Sequence, residues 1–263
     1  MLLEVDGLAK EFGGVHAVQD FSLSMDAGEV VGLIGPNGAG KSTVITLVAG
    51  FTRQDKGTVR FGDTDISHMP VHRRARLGLV RTFQLARVWG RLSVMENMLV
   101  AASSPPRESL WRQFTAPRAQ RAEEDLDRER ARGVLAEFEL LRLKDEPAER
   151  LSGGQKRLLE FARIVMAQPR LVLLDEPSAS LSPAMSRRIG ESILHLTSLG
   201  IAVLLVEHDL SLVEDTCSRI VCMAASRVIA EGSMESLRSN ELVVQAYLGA
   251  ALEERDLSKA AGA

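Results

Sequence analysis

The chain has 263 residues, 45% hydrophobic and 25% charged, which suits one large globular domain or a domain with a subdomain. Its 32 basic and 35 acidic residues leave a net charge of −3, so no global field draws it to nucleic acid. The longest apolar runs, such as 201–206, are too short to cross a bilayer, and no charged segment followed by an apolar one opens the chain as a secretory signal would.

The first elements alternate. Leu3, Val5 and Gly7 begin one strand-like run, and Phe21, Leu23 and Met25 keep a period of two before the turn at Asp26-Ala27-Gly28. Val30 to Ile34 is a continuous apolar run. It leads into Gly35-Pro36-Asn37-Gly38-Ala39-Gly40-Lys41-Ser42, and a helix-forming stretch from Lys41 to Ala49 follows. Strand, glycine-rich loop and helix in that order are the context of a phosphate-binding loop. Several N–H groups must point at one anion, which favours residues without side chains. A lysine then reaches the terminal phosphates, and a hydroxyl holds Mg²⁺.

Gly57 to Phe61 alternates again and closes on the turn Gly62-Asp63, so the early strands are expected to be half-buried and antiparallel. Residues from about 85 to 150 lack strand signals and read as helical, with a loop at Ser103-Ser104-Pro105-Pro106. Within them, 107–132 hold seven arginines and six acids, the balance of a solvated helix rather than of a basic contact patch. Leu151-Ser152-Gly153-Gly154-Gln155 precedes a helical pattern from about Gln155 to Ala167. Ser152 and Gln155 have the spacing of a capping box, and a helix start with free N–H groups can either be simply capped or take an anion.

Leu171 to Leu174 and Ala202 to Val206 are apolar throughout, as central parallel strands are, with a helical pattern from about Ala184 to Ser198 between them. The alternation implies an α/β core. The first of these strands ends in Asp175-Glu176. A carboxylate there suits a Mg²⁺ partner beside Ser42, and the next one could polarise an attacking water. Cys217 and Cys222 fit neither a zinc pair nor a redox motif and are expected to be reduced, partly buried thiols. From Glu253 onward the chain is small and polar, a loose tail by composition.

The phosphate loop, the segment LSGGQ at 151–155 and LVLLDEP at 171–177 together resemble the ATP-binding-cassette ATPase family, over about residues 2 to 249. The resemblance implies a P-loop NTPase (RecA-like) parallel-sheet α/β core with an N-terminal antiparallel β-subdomain and an inserted α-helical subdomain. One nucleotide-binding domain would span 1–250, with core at about 1–84 and 160–250, helical subdomain at about 85–159, and a tail at 251–263. It implies ATP hydrolysis with Mg²⁺. Gln84, in Arg81-Thr82-Phe83-Gln84, would contact Mg²⁺ and water, and His208 would contact the γ-phosphate. Phe12 would stack on adenine, with Val18 and Thr43 among the other nucleotide-binding residues. The catalytic set would be Lys41, Gln84, Glu176 and His208; the metal set Ser42, Gln84 and Asp175.

The family also implies a head-to-tail dimer, in which Ser152, Gly153, Gly154 and Gln155 of a second ATPase subunit cover the ATP on the phosphate loop. Finer features resemble the larger ATPase of branched-chain amino-acid importers: Leu2 to Val5, Phe12 to Val18, Arg81 to Gln84, Glu96-Asn97, Leu159 to Arg163, Glu207-His208-Asp209 and Ala246 to Gly249. The implied function is a motor subunit on the cytoplasmic face of the cell membrane, bound to permease subunits and served by a solute-binding protein. A soluble cassette protein acting on DNA or ribosomes, and a poorly hydrolysing regulator, are the alternatives. The chain departs from the pattern at Gly153, where the subgroup often has an aromatic, at Ser182, where an acid or amide is usual, and at Ser226, which replaces a turn glycine. Ser182 before Pro183 still makes a sound helix N-cap.

Overall fold

The computed structural model describes residues 1–82, 88–102 and 117–247. It contains two compact units. The first comprises the described residues within Met1–Thr82, Arg170–Ser178 and Ile193–Ala263; the second, those within Phe83–Pro169 and Ala179–Ser192.

The first unit holds two sheets. Strands β1 (Leu3–Phe12), β2 (Val15–Met25), β4 (Lys56–Phe61) and β5 (Thr64–Asp65) form an antiparallel sheet in the order β2-β1-β4-β5. Leu3 and Val5 on β1, and Phe21, Leu23 and Met25 on β2, are buried with a period of two; β1 shifts register after Val5, where Gly7 has φ 58, so Leu8 rather than Gly7 is the next buried residue. The second sheet runs β10 (Arg227–Gly232), β9 (Arg219–Ala224), β3 (Val30–Ile34), β8 (Ala202–Val206), β7 (Leu171–Asp175) and β6 (Leu79–Arg81). All its pairings are parallel except β9 with β10. Every residue of β3, β7 and β8 is buried, which is why these strands read as unbroken apolar runs.

Helices α1 (Lys41–Val48) and α2 (Val71–Arg76) belong to this unit, and so do α7 (Leu210–Thr216) and α8 (Met234–Arg238). The β9–β10 turn confirms the special position of Ser226. It has φ 67, the left-handed region that favours glycine, and its hydroxyl donates to His16 O at 2.6 Å. Cys222 is buried and Cys217 half-buried; both are free, and burial pushes each thiol up to about 11.

In the second unit α3 (Val94–Ala102), α4 (Pro117–Glu137) and α5 (Gly153–Ala167) pack against one another over Val94, Met98, Ala131, Leu135, Leu159 and Ala162. Among the described residues its only β pairing is an isolated bridge between Ser93 and Pro147. The described charges of α4 face solvent for the most part, as a balanced charged helix should. Helix α6 (Pro183–Ser198) starts on Ser182, whose hydroxyl accepts from Met185 N at 3.3 Å. The N-cap expected of Ser182 is therefore present.

Candidate functional site

The site lies at the carboxyl ends of three adjacent parallel strands. β3 runs into the glycine-rich loop, β7 into Asp175-Glu176, and β8 into Glu207-His208. In open α/β sheets ligands bind at such strand ends.

The loop at 35–42 has the backbone that its sequence demands. Gly35 has φ 147, and a Cβ there would collide with the carbonyl of Met223; Gly40 has φ 100, and a Cβ would strike the carbonyl of Ala17. Gly38 (φ 77) has open space around it, with Pro36 half-buried and Asn37 exposed beside it, and Ala39 packs into the core. Gly40 is the N-cap of α1, so the loop feeds directly into free helical N–H groups. This backbone has the shape that cradling a phosphate requires. Lys41 is buried, and its Nζ donates to the carbonyls of Gly35 (2.8 Å) and Pro36 (2.9 Å). Burial lowers its pKa, while the nearby Glu176 and Asp175 carboxylates oppose that shift.

Ser42 is exposed at the first turn of α1, and Thr43 half-buried beside it. The Ser42 hydroxyl donates to Asp175 Oδ1 at 3.4 Å, across 133 residues of sequence. One hydroxyl and one carboxylate are hard oxygen donors. Mg²⁺ is characteristically held by so few protein groups when phosphate oxygens supply the rest, so the residues present fit that ion. Glu176 has φ 49, a left-handed backbone that costs a non-glycine residue roughly 1–3 kcal/mol and persists only where the surroundings impose it. Its N–H donates to Val206 O at 2.9 Å, and its Oε1 lies 2.9 Å from His208 Nε2. An ionised carboxylate only accepts, so Nε2 then carries the hydrogen.

Phe12 ends β1 and is half exposed, with Lys10 Nζ 5.2 Å from its ring centroid; it is not a core phenylalanine. Val18 differs. Its side chain is fully buried in the core beneath β2, so it offers a ligand no exposed surface. In the second unit the capping box is formed: Ser152 Oγ accepts from Gln155 N (3.3 Å), and Gln155 Oε1 accepts from Ser152 N (2.9 Å). Helix α5 begins at Gly153, two residues earlier than its periodicity suggested. Gly153 has open space, but Gly154 does not, since a Cβ there would collide with the Met185 side chain. Gln84 lies outside the described residues.

Sequence reasoning left three neighbours unassigned. Arg81 Nη2 pairs with Asp175 Oδ2 at 3.0 Å. Glu207 accepts from the N–H groups of Ser178 and His208. Tyr247 packs against the apolar cluster that includes Ile34 and Cys222, and burial pushes its hydroxyl up to about 12. All three stand within the quoted motif runs, but periodicity and spacing do not say what they touch.

The chain is similar to known proteins over most of its length. Residues 18–179 match the profile of the ABC transporter family, and residues 227–253 match that of the branched-chain amino acid ATP-binding cassette transporters. A probable branched-chain amino acid transport ATP-binding protein, LivG of Archaeoglobus fulgidus, is 38% identical over 249 residues, 95% of this chain and 96% of the relative. The lipopolysaccharide export system ATP-binding protein LptB of Haemophilus influenzae is 35% identical over 248 residues, 94% of this chain and 97% of that one. The crystal structure of an ATP-binding cassette of an ABC transporter in its ADP conformation superposes with a TM-score of 0.78 at 32% identity, over 94% of this chain and 98% of that one. With a glycine-rich loop and an Asp-Glu strand end in one sheet, a family match over 18–179 and 38% identity to a relative over 95% of its length, the chain belongs to the ABC transporter family of ATP-binding cassette ATPases.

Proposed function

We propose that the chain is the ATP-hydrolysing motor subunit of a transporter that imports branched-chain amino acids or a related small polar solute. The observation that carries the ATPase half is the convergence of Lys41, Ser42, Asp175, Glu176 and His208 at the ends of β3, β7 and β8. The match of residues 227–253 to the branched-chain amino acid subgroup supports the solute half.

In this reading the N–H groups of 37–43 and the Lys41 ammonium hold the phosphates, while Phe12 offers an exposed ring to adenine. Ser42, Asp175 and Gln84 hold Mg²⁺, which when bound neutralises charge on the phosphate oxygens. Glu176 orients the attacking water and draws on its proton. His208, hydrogen-bonded to that carboxylate, keeps it pointed and stands ready to contact the transferred phosphate. Ser152 to Gln155 of a second ATPase subunit cover the nucleotide with a capped, anion-binding helix end. The subunit works on the cytoplasmic face of the membrane, attached to permease subunits that a solute-binding protein serves. No helix among the described residues is long and apolar enough to cross a membrane.

Phosphate release by wild type and Glu176→Gln tests the chemistry. A water-orienting base contributes on the order of 10²- to 10⁴-fold, so hydrolysis should fall by at least about a hundredfold while ATP still binds. Equal rates would remove Glu176 from this role, and an inactive wild type would favour a regulatory subunit. The LptB similarity raises a second cargo, lipopolysaccharide. Purifying the chain with its permease from detergent-solubilised membranes, then assaying leucine uptake in proteoliposomes, separates the two; ATP-dependent uptake is the expected result.

A further inference from the structure

Four residues of the first unit close a ring of hydrogen bonds. Ser42 Oγ donates to Asp175 Oδ1 (3.4 Å), and Asp175 Oδ2 accepts from Arg81 Nη2 (3.0 Å). Arg81 Nη1 donates to Thr46 Oγ1 (3.5 Å), and Thr46 Oγ1 donates to Ser42 O (2.5 Å). The guanidinium also lies 5.4 Å from the ring centroid of Phe51. Among the described residues three groups thus help to set its direction, one of them the carboxylate itself. Both members of the ion pair are largely buried, at 14% and 10% side-chain exposure, so the contact is not a mobile surface pair.

The two carboxylate oxygens are thus not equivalent. An aspartate carboxylate turns easily about its terminal torsion, where the energy wells are broad. Here one oxygen is tied to Arg81, and only the other faces Ser42. We propose that Arg81 is a positioning residue for the metal site: it holds Oδ2 of Asp175 so that Oδ1, next to the Ser42 hydroxyl, is the oxygen offered to the cation. The inference rests on the reading of Asp175 as the metal-facing carboxylate. It also gives the three-residue strand β6 a purpose. β6 is the edge neighbour of β7, and its last residue reaches sideways to the carboxylate that ends β7. Arginine suits the task because its planar fork can bond a carboxylate and a second acceptor at once.

Losing Arg81 has two opposed effects. Removing a cation near the site would tighten metal binding; freeing the carboxylate would weaken it. The fixed geometry of the ring favours the second, since partners that orient a metal ligand are typically worth about 10- to 100-fold in metal affinity or activity.

The test compares wild type, Arg81→Met, Arg81→Lys and Asp175→Asn. For each, binding of a fluorescent ATP analogue is measured in EDTA and in Mn²⁺, and a Mn²⁺ titration of hydrolysis gives the half-saturating metal concentration. Arg81→Met should bind nucleotide in EDTA within about twofold of wild type but need roughly tenfold more Mn²⁺. Arg81→Lys, which keeps the charge and one donor, should stay within about threefold. Equal losses in EDTA and in Mn²⁺ would make Arg81 a structural support only and overturn the proposal, as would an unchanged or lower Mn²⁺ requirement. If Asp175→Asn raises the requirement and Arg81→Met does not, the Arg81 inference fails alone. If Asp175→Asn leaves it unchanged, the reading of Asp175 fails first. Each variant must melt within a few degrees of wild type; should Arg81→Met not, Arg81→Gln carries the same comparison.

Discussion

Glu207 is 3% exposed and accepts three backbone hydrogen bonds, from Ser178 N (2.8 Å), His208 N (2.9 Å) and Asp209 N (3.4 Å). An ionised carboxylate only accepts, which makes it a suitable hub for N–H groups that turn away from the sheet. Two of those groups belong to the residues just after β8, and the third follows β7. Glu207 therefore ties together the turns that carry Glu176 and His208. Glu207→Ala leaves buried donors without acceptors, and each such group costs on the order of 1–3 kcal/mol. We expect a loss of at least about 2 kcal/mol in urea unfolding. Glu207→Gln, which keeps one oxygen acceptor, should lose less. An unchanged unfolding midpoint for Glu207→Ala would refute this account. In the sequence Glu207 reads as one more acid in a motif; only its burial shows that it is structural.

Helix α1 follows the phosphate loop, so its stability bears on the cradle. It has no basic residue in its own last turn. Arg74 of α2 supplies the missing donors from outside. Its Nη1 donates to Leu47 O (3.0 Å) and Val48 O (2.7 Å), its Nη2 to Ser67 O (3.2 Å) and its Nε to Met69 O (2.8 Å). Arg74 is 2% exposed, and burial lowers its pKa to about 10. It thus answers the orphan carbonyls and the negative end of the α1 dipole together. Arg74→Met should cost about 3 kcal/mol or more, because several carbonyls lose their partner inside the core. Arg74→Lys should also destabilise, since one ammonium cannot span carbonyls on two elements. Chemical denaturation of both variants checks this; a lysine variant as stable as wild type would contradict it. At this scale β1, β2, β3, β4, β7, β8, α5 and α6 are legible from period and run length. β6 and α2 are not, since three and six residues are too few to show a period.

The phosphate loop belongs to one compact unit of the molecule and the Ser152–Gln155 helix start to the other. If a partner subunit supplies that helix end, ATP should hold two chains together, because a ligand bound only by the dimer stabilises it by mass action. Glu176→Gln with ATP and Mg²⁺ should double its molar mass in light scattering, and ADP should not have this effect. A monomer at saturating ATP would count against the shared site. By itself the sequence determined the strand, glycine-rich loop and helix at 30–48, the Asp175-Glu176 strand end, the capping box and the α/β class. Each is written in contiguous residues, because backbone conformation, capping and strand burial are local demands. Only the tertiary structure decided what surrounds the Asp175-Glu176 pair. β7 lies between β6 and β8, so Arg81 meets Asp175 from one side and His208 meets Glu176 from the other. Those partners are 94 and 32 residues away along the chain, and strand order is what makes them neighbours.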